Sequence, residues 1–359
     1  MEPSKPKITR KTVLLPLVGL VAFFLYIYLF QVDIPAIIAT AQTADPLPYI
    51  AAVLFSLVEV FFYAVSWRTL ASFLSVKMSV FKSYLYVWYG LYVDIIVPAE
   101  SVSGEVTRTY LVTRDQCGPC GKVVASLFTH RLLGMAMNVA VLVLGISLLF
   151  NGGQINPLVF NLIVFFAVAI TAILILLIIF SFKEKWSLRA IDWGTRFVHV
   201  ITRGKVKVAK IKEDACRITK SFHDSMREYK NNPKPLVSSL FSLALTWVFS
   251  LSIPYLVFLS LPETRLHPVS WSIILITSAI VVAVKSVPIG IPFEVGLPEI
   301  TMTTLYTSMG VPAGISATAT ILTRLITLWL RFFIGFVAQQ WLELKPVIAP
   351  TCNPTTEKA

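Results

Sequence analysis

The sequence predicts an all-α integral membrane bundle. Three observations carry that prediction: 56% of the 359 residues are hydrophobic, only 14% are charged, and long apolar runs recur from end to end with short polar breaks. About 20 residues of helix cross the roughly 30 Å of bilayer hydrocarbon, and these runs are of that size. Alternating strands of about ten residues, the mark of an outer-membrane barrel, are absent, so helices must satisfy the backbone.

Seven to eight spans are expected, at 12 to 31, 48 to 74, 81 to 97, 122 to 150, 157 to 182, 235 to 261, 269 to 287 and 316 to 342. They make one membrane domain, 1 to 359. Lys5, Lys7, Arg10 and Lys11 precede the first run, and Ala39-Thr40-Ala41 resembles a signal cleavage site. The run is too long for a signal peptide core, so it reads as an uncleaved helix.

Lys and Arg are retained on the cytoplasmic side. That rule puts the basic N-terminus in the cytoplasm of a multi-pass cell-membrane protein and the loop Gln31 to Pro48, which has no Lys or Arg, outside. It returns the chain to the cytoplasm at Arg68, Lys77 and Lys82. A simple crossing by 81 to 97 would then place Arg108, Arg114 and Lys122 outside. One rearrangement repairs the pattern: residues 81 to 112 enter, break near Pro98 and return to the same side as a re-entrant hairpin. Pro98 cannot donate a backbone hydrogen bond, and Ser101, Ser103 and Gly104 suit a turn or helix start.

A second break, Val287 to Ile300, holds three prolines and two glycines. Pro98, Glu100 and Glu105 share the spacing of Pro292, Glu294 and Glu299. This suggests an internal repeat, and paired broken helices in two halves point to a substrate site near the midplane. Carboxylates and arginines at that depth cost roughly 2.5 to 3.5 kcal/mol on insertion scales, so they must be paired or wet. Glu59, Asp94, His130, Arg131, Lys285, Arg324 and Arg331 also fall in or beside apolar runs. Arg108, three residues after Glu105, is expected to pair with it along a helix. Arg331 reads as a residue that neutralises a Glu or snorkels; Glu105, Arg108, Arg131, Glu299 and Arg324 read as one shared site.

Residues 183 to 235 form a basic cytoplasmic insert with fourteen Lys or Arg against six Asp or Glu, most of the chain's net charge of +12. Ile211, Ala215, Ile218, Phe222, Met226 and Tyr229 make one helical stripe, expected to lie on the membrane surface, with Trp186 and Trp193 as interfacial anchors. No nucleic-acid recognition motif accompanies the charge, so no nucleic-acid partner is expected. Cys117 and Cys120 have thioredoxin-like spacing without its fold, and Cys216 and Cys352 stand alone, so no metal is expected. P-loop, dinucleotide, zinc-protease and nucleophile-elbow motifs are missing. The chain therefore reads as a non-enzyme without cofactors.

The stretch from Val97 to Val112 resembles the signature of the lysylphosphatidylglycerol synthase transmembrane region, a flippase-like family, through Pro98, Gly104, Glu105 and Arg108. Arg131 falls at an arginine position of that family. Pro292, Gly296, Glu299 and Arg324 meet its C-terminal pattern, while Ser103, Val106, His130 and Phe293-Glu294 depart from its usual residues. The resemblance implies a region that moves or presents lipids, either aminoacylated phospholipid or polyprenyl-linked glycan. Nothing in the sequence is long and soluble enough to be the aminoacyltransferase domain of the fused bacterial proteins.

The substrate-binding candidates are Glu100, Gly104, Glu105, Arg108, Arg131, Pro292, Glu294, Gly296, Glu299 and Arg324, with the acids on headgroup cations or hydroxyls and the arginines on phosphate. Membrane lipids, anionic or lipid-linked, are the expected partners. A glycosyltransferase, an aminoacyltransferase or a second copy are further partners the sequence allows. The rival functions are a membrane-embedded lipid-modifying transferase and a non-catalytic scaffold for a glycosyltransferase.

Overall fold

The computed structural model describes residues 35, 39, 42–97, 102–116, 120–150, 157–201, 208–266, 269–285 and 296–344. The expected first span, 12 to 31, lies outside them. The described residues are helical, with no strand among them. In chain order the helices are α1 (Pro46–Phe73), α2 (Val80–Ile96), α3 (Val102–Gln116), α4 (Cys120–Phe150), α5 (Pro157–Phe182), α6 (Glu184–Ile201) and α7 (Val208–Asn231). They continue as α8 (Lys234–Ser260), α9 (Pro262–Leu266), α10 (Trp271–Lys285), α11 (Leu297–Ser308), α12 (Ala313–Arg324) and α13 (Arg331–Leu344), with a π-helical segment, Leu325–Leu330, joining the last two.

Among the described residues, five stretches are long and apolar enough to span a bilayer: Pro46–Phe73, Cys120–Leu148, Ile163–Phe182, Lys234–Ser260 and Ala313–Glu343. The chain is an integral, multi-pass membrane protein. Local chemistry starts the helices where turns are needed. Asp45 caps α1 by accepting from the Leu47 amide (3.0 Å), and Ser79 caps α2 by accepting from Lys82 (3.2 Å).

α2 and α3 form a hairpin and not a crossing. Tyr86 donates to Asp115 (2.5 Å), Lys82 approaches Asp115 (3.7 Å), and the Gly104 amide donates to Asp94 (2.6 Å). Both open ends therefore lie on one side, beside the end of α13, where Arg114 meets Glu343 (3.3 Å). The return arm expected from the charge pattern is present. The stretch 269 to 287, expected as a span, holds a shorter apolar helix of 15 residues, α10; it packs on α11 as α2 packs on α3, a second hairpin-like pair, and α11 packs on α12.

The helices follow one plan twice. A long helix (α1 or α8), two hairpin arms (α2–α3 or α10–α11) and a second long helix (α4 or α12–α13) make each unit. α1 and α8 run antiparallel, since the Asp45 amide donates to the Ser260 carbonyl (2.7 Å) at one end and Ser66 meets Ser239 further along. The two units are therefore inverted relative to each other. Their hairpins are exchanged: α2 packs on α13, where a Cβ at Gly335 would lie 2.6 Å from Tyr92 Cβ, and α10 packs on α4, where Gly145 faces Leu275 and Ile276.

The basic insert folds into α6 and α7, but the apolar stripe of α7 does not lie on a membrane surface as expected. Phe222 packs edge-on against Phe128 (5.3 Å), Thr129 donates to Met226 sulfur (3.4 Å), and the Tyr229 hydroxyl donates to the Leu70 carbonyl (2.9 Å). The stripe is spent on α4 and α1, and Ile218 and Ser221 close over Gly121. Protein packing satisfies an amphipathic helix as well as lipid does. Trp186 and Trp193 of α6 point outward and remain available as interfacial anchors.

With the native cysteines replaced, single cysteines at Lys82 and Arg114 should react with an impermeant thiol reagent from the same side of the membrane. Labelling from opposite sides would mean that α2 and α3 do not form a re-entrant hairpin. Gly104→Ala should lower the melting temperature, because a methyl group there overlaps the Asp94 carboxylate and lies 2.7 Å from the Gly90 carbonyl. Overpacking of this kind typically costs about 1 to 3 kcal/mol.

Candidate functional site

The first cluster is built by the way α3 starts. The Asp94 carboxylate, near the end of α2, accepts from the Ser103 hydroxyl (2.7 Å) and the Gly104 amide (2.6 Å), satisfying donors that the first turn of a helix leaves open. Gly104 allows the close approach. This clamp sets the phase of α3 and hence the directions of Glu105 and Arg108.

Glu105 faces α4, where Arg131 Nη1 lies 3.7 Å from its carboxylate; the two side chains are 23% and 31% exposed. The expected pairing of Glu105 with Arg108 along α3 does not form. Arg108 instead turns inward over Gly90, with Nε donating to the Gly104 carbonyl (3.3 Å). Its guanidinium carbon lies 5.5 Å from the Trp67 ring centroid and 5.9 Å from that of Tyr63, both on α1, within cation–π range. Arg108 is 5% exposed, and among the described residues it makes no ion pair within 4 Å and its Nη1 has no hydrogen-bond partner. His130 of α4 stands edge-on to Tyr63 (4.5 Å), buried, and its Nε2 also lacks a partner among the described residues.

The second cluster sits in the second unit. Gly296, with φ of +99°, turns the chain into α11, and Glu299 reaches back to accept from its amide (2.7 Å). The other carboxylate oxygen accepts from Arg324 Nε (2.5 Å), and these side chains are 4% and 7% exposed. Glu105 to Arg131 and Glu299 to Arg324 are spaced alike to within one residue. In both units the return arm of the hairpin offers a glutamate to an arginine on the long helix that follows. The acids and arginines read as one shared site thus belong to two equivalent places.

A third pair joins the units: Arg331 Nη2 donates to Glu59 (2.5 Å). Arg324 and Arg331 are seven residues apart, so in an α-helix they would face within about 20° of each other. The intervening π-helical turn changes the phase, and their partners lie on different helices, α11 and α1. Glu100, Pro292 and Glu294 lie outside the described residues. No three His, Cys, Asp or Glu side chains among the described residues gather as a metal site would need.

Sequence reasoning missed Tyr63 and Trp67, since aromatics in a long apolar helix look like ordinary core. It read Arg331 as neutralising a glutamate or snorkelling, without pairing it with Glu59. Arg331 does neutralise a glutamate, but it does so between the two units.

The model of the lysylphosphatidylglycerol synthase TM region matches residues 14–335, most of the chain and both clusters. The chain belongs to this family. It is 24% identical to a UPF0104 membrane protein of Pyrococcus horikoshii over 313 residues, which is 86% of this chain and 91% of that one. It is 22% identical to a UPF0104 membrane protein of Methanocaldococcus jannaschii over 342 residues, covering 93% and 95%.

The two glutamate–arginine pairs should differ sharply in their contribution to stability. Arg324→Met strands a buried carboxylate and should destabilise by about 3 to 5 kcal/mol. Arg131→Met breaks a longer, partly exposed pair and should cost clearly less. Thermal melting of the two variants in the same detergent compares them, and equal losses would show that the pairs do the same structural job.

Proposed function

We propose that this membrane protein binds a lipid with a polar headgroup and carries that headgroup across the bilayer. One observation supports the reading above the others: two broken hairpins, inverted relative to each other, each bring a charged pair into the interior of a helical bundle. Broken backbone and charge at that depth are tolerated only against protein or water. A path for a headgroup supplies the reason to keep them. Inverted units with a site at their interface are the architecture by which many transporters open to either side in turn.

The two pairs take different parts. Glu299–Arg324 is short, buried and also tied to the Gly296 amide, so it holds its hairpin shut. Glu105–Arg131 is long and half-exposed, which leaves both groups able to exchange each other for a headgroup. Glu105 takes an ammonium or hydroxyl and Arg131 balances it. The lipid is moved and not remade, with the N-terminus in the cytoplasm and the first hairpin opening there, a placement that the distribution of Lys and Arg supports.

Reconstitution into vesicles with headgroup-labelled lipid tests this reading. Wild-type protein should make the labelled headgroups accessible from the opposite leaflet. Glu105→Gln should slow that by about tenfold, the loss of one charge-assisted contact. Mass spectrometry should find the lipid unchanged. An altered lipid would make the protein a transferase, and wild-type rates in Glu105→Gln would remove the site.

A further inference from the structure

The inverted units are alike in their glutamate–arginine pairs but differ beside them. In the first unit, a buried guanidinium and a buried imidazole both meet Tyr63, and each keeps one nitrogen without a partner: Arg108 Nη1 and His130 Nε2. At the matching places of the second unit, counted from the aligned glutamates and arginines, stand Met302 and Thr323. Neither can carry charge.

A guanidinium that is 5% exposed and an imidazole that is 3% exposed are costly to leave unmatched. An unsatisfied buried donor costs about 1 to 3 kcal/mol, more when charged. Glu105, the nearest acid on the same helix, is engaged by Arg131, and Asp94 is engaged by the start of α3. The rings of Trp67 and Tyr63 lie within cation–π range of the guanidinium, and the Tyr63 hydroxyl also interacts with it, but Nη1 is left without a partner among the described residues. What the arrangement lacks is an acceptor with several oxygens and a negative charge. Phosphate meets that need, because its oxygens match the guanidinium fork and an Nε2–H imidazole can donate to the same group.

We propose that Arg108 and His130 together form a phosphate-binding subsite that is present in one of the two units only. This deepens the lipid-carrying reading and rests on it for the lipid part alone. Nη1 and Nε2 have no exposed surface here, so the subsite is shut. An anion enters when the first hairpin moves away from α1 and α4. The amine or hydroxyl of the headgroup then meets Glu105 on the neighbouring face of α3 while its phosphate meets Arg108. Because the second unit has no equivalent, the phosphate is gripped at one stage of the crossing and released at the other.

Native mass spectrometry of the detergent-purified full chain tests the proposal, with phosphatidylglycerol, diacylglycerol of the same acyl chains, and inorganic phosphate as probes. Phosphatidylglycerol should bind at least about tenfold more tightly than diacylglycerol, the worth of one hydrogen bond to a charged group. Arg108→Gln and His130→Phe, which keeps a ring against Tyr63, should each remove most of that preference. Met302→Leu in the second unit should retain it. Gly90→Ala keeps both charged groups but crowds Arg108 Cγ and Nε, which lie 3.3 Å from the added methyl, and should weaken the preference too.

If Arg108→Gln fails to fold, His130→Phe and Gly90→Ala decide. Competition by inorganic phosphate would support a subsite open to the free anion. Preference without such competition would support one that reads phosphate only on a lipid. Equal binding of phosphatidylglycerol and diacylglycerol, or an undiminished preference in folded Arg108→Gln and His130→Phe, would overturn the subsite. Lipid that binds through Arg108 but does not cross in vesicles would overturn transport and leave the subsite standing.

Discussion

A helix broken inside a bilayer cannot show its open backbone groups to lipid, and that constraint organises this molecule. Each hairpin must be wrapped by protein. The chain meets the demand by exchange: the first arm of each hairpin lies on the closing long helix of the other unit, with glycines at the crossings where Gly335 meets Tyr92 and Gly145 meets Leu275 and Ile276. Small residues permit this approach, as they do in membrane helix packing generally. Because each hairpin is held by the opposite unit, neither unit is complete alone.

Charge is distributed by the same logic. Each return arm brings a glutamate within reach of the next long helix, and each long helix offers an arginine. The symmetry is then broken in detail. One pair is short, buried and tied to a helix start, while the other is stretched and partly exposed, with a second arginine nearby that makes no ion pair within 4 Å among the described residues. A duplicated framework supplies the support, and departures from duplication mark where chemistry differs.

Much of this framework was legible in the sequence. Composition and run length gave an all-α membrane protein. The misplaced basic residues after Pro98 disclosed a hairpin, because retention of Lys and Arg reports topology independently of periodicity. The matched Pro-to-Glu spacing disclosed a repeat. What stayed hidden depends on partners distant in sequence. Periodicity showed that α7 had an apolar stripe but not that Phe222 and Tyr229 would meet Phe128 and Leu70 in place of lipid. Spacing put Glu105 and Arg108 one turn apart, yet the Asp94 clamp sets a phase in which Glu105 finds Arg131 and Arg108 finds two aromatic rings. No residue pattern announces the π-helical turn that gives Arg324 and Arg331 different neighbours.

The seam between α1 and α8 has a mechanical consequence. Ser66 and Ser239 place their hydroxyls 2.8 Å apart, each within 3.2 Å of the other's carbonyl, and the Asp45 amide is bonded to the Ser260 carbonyl at the far end of the same seam. Sliding either helix along the other would break these contacts together. The seam is therefore a keel: it fixes α1 and α8 against each other along their length, so that the two units cannot shift past one another without losing all of these bonds at once.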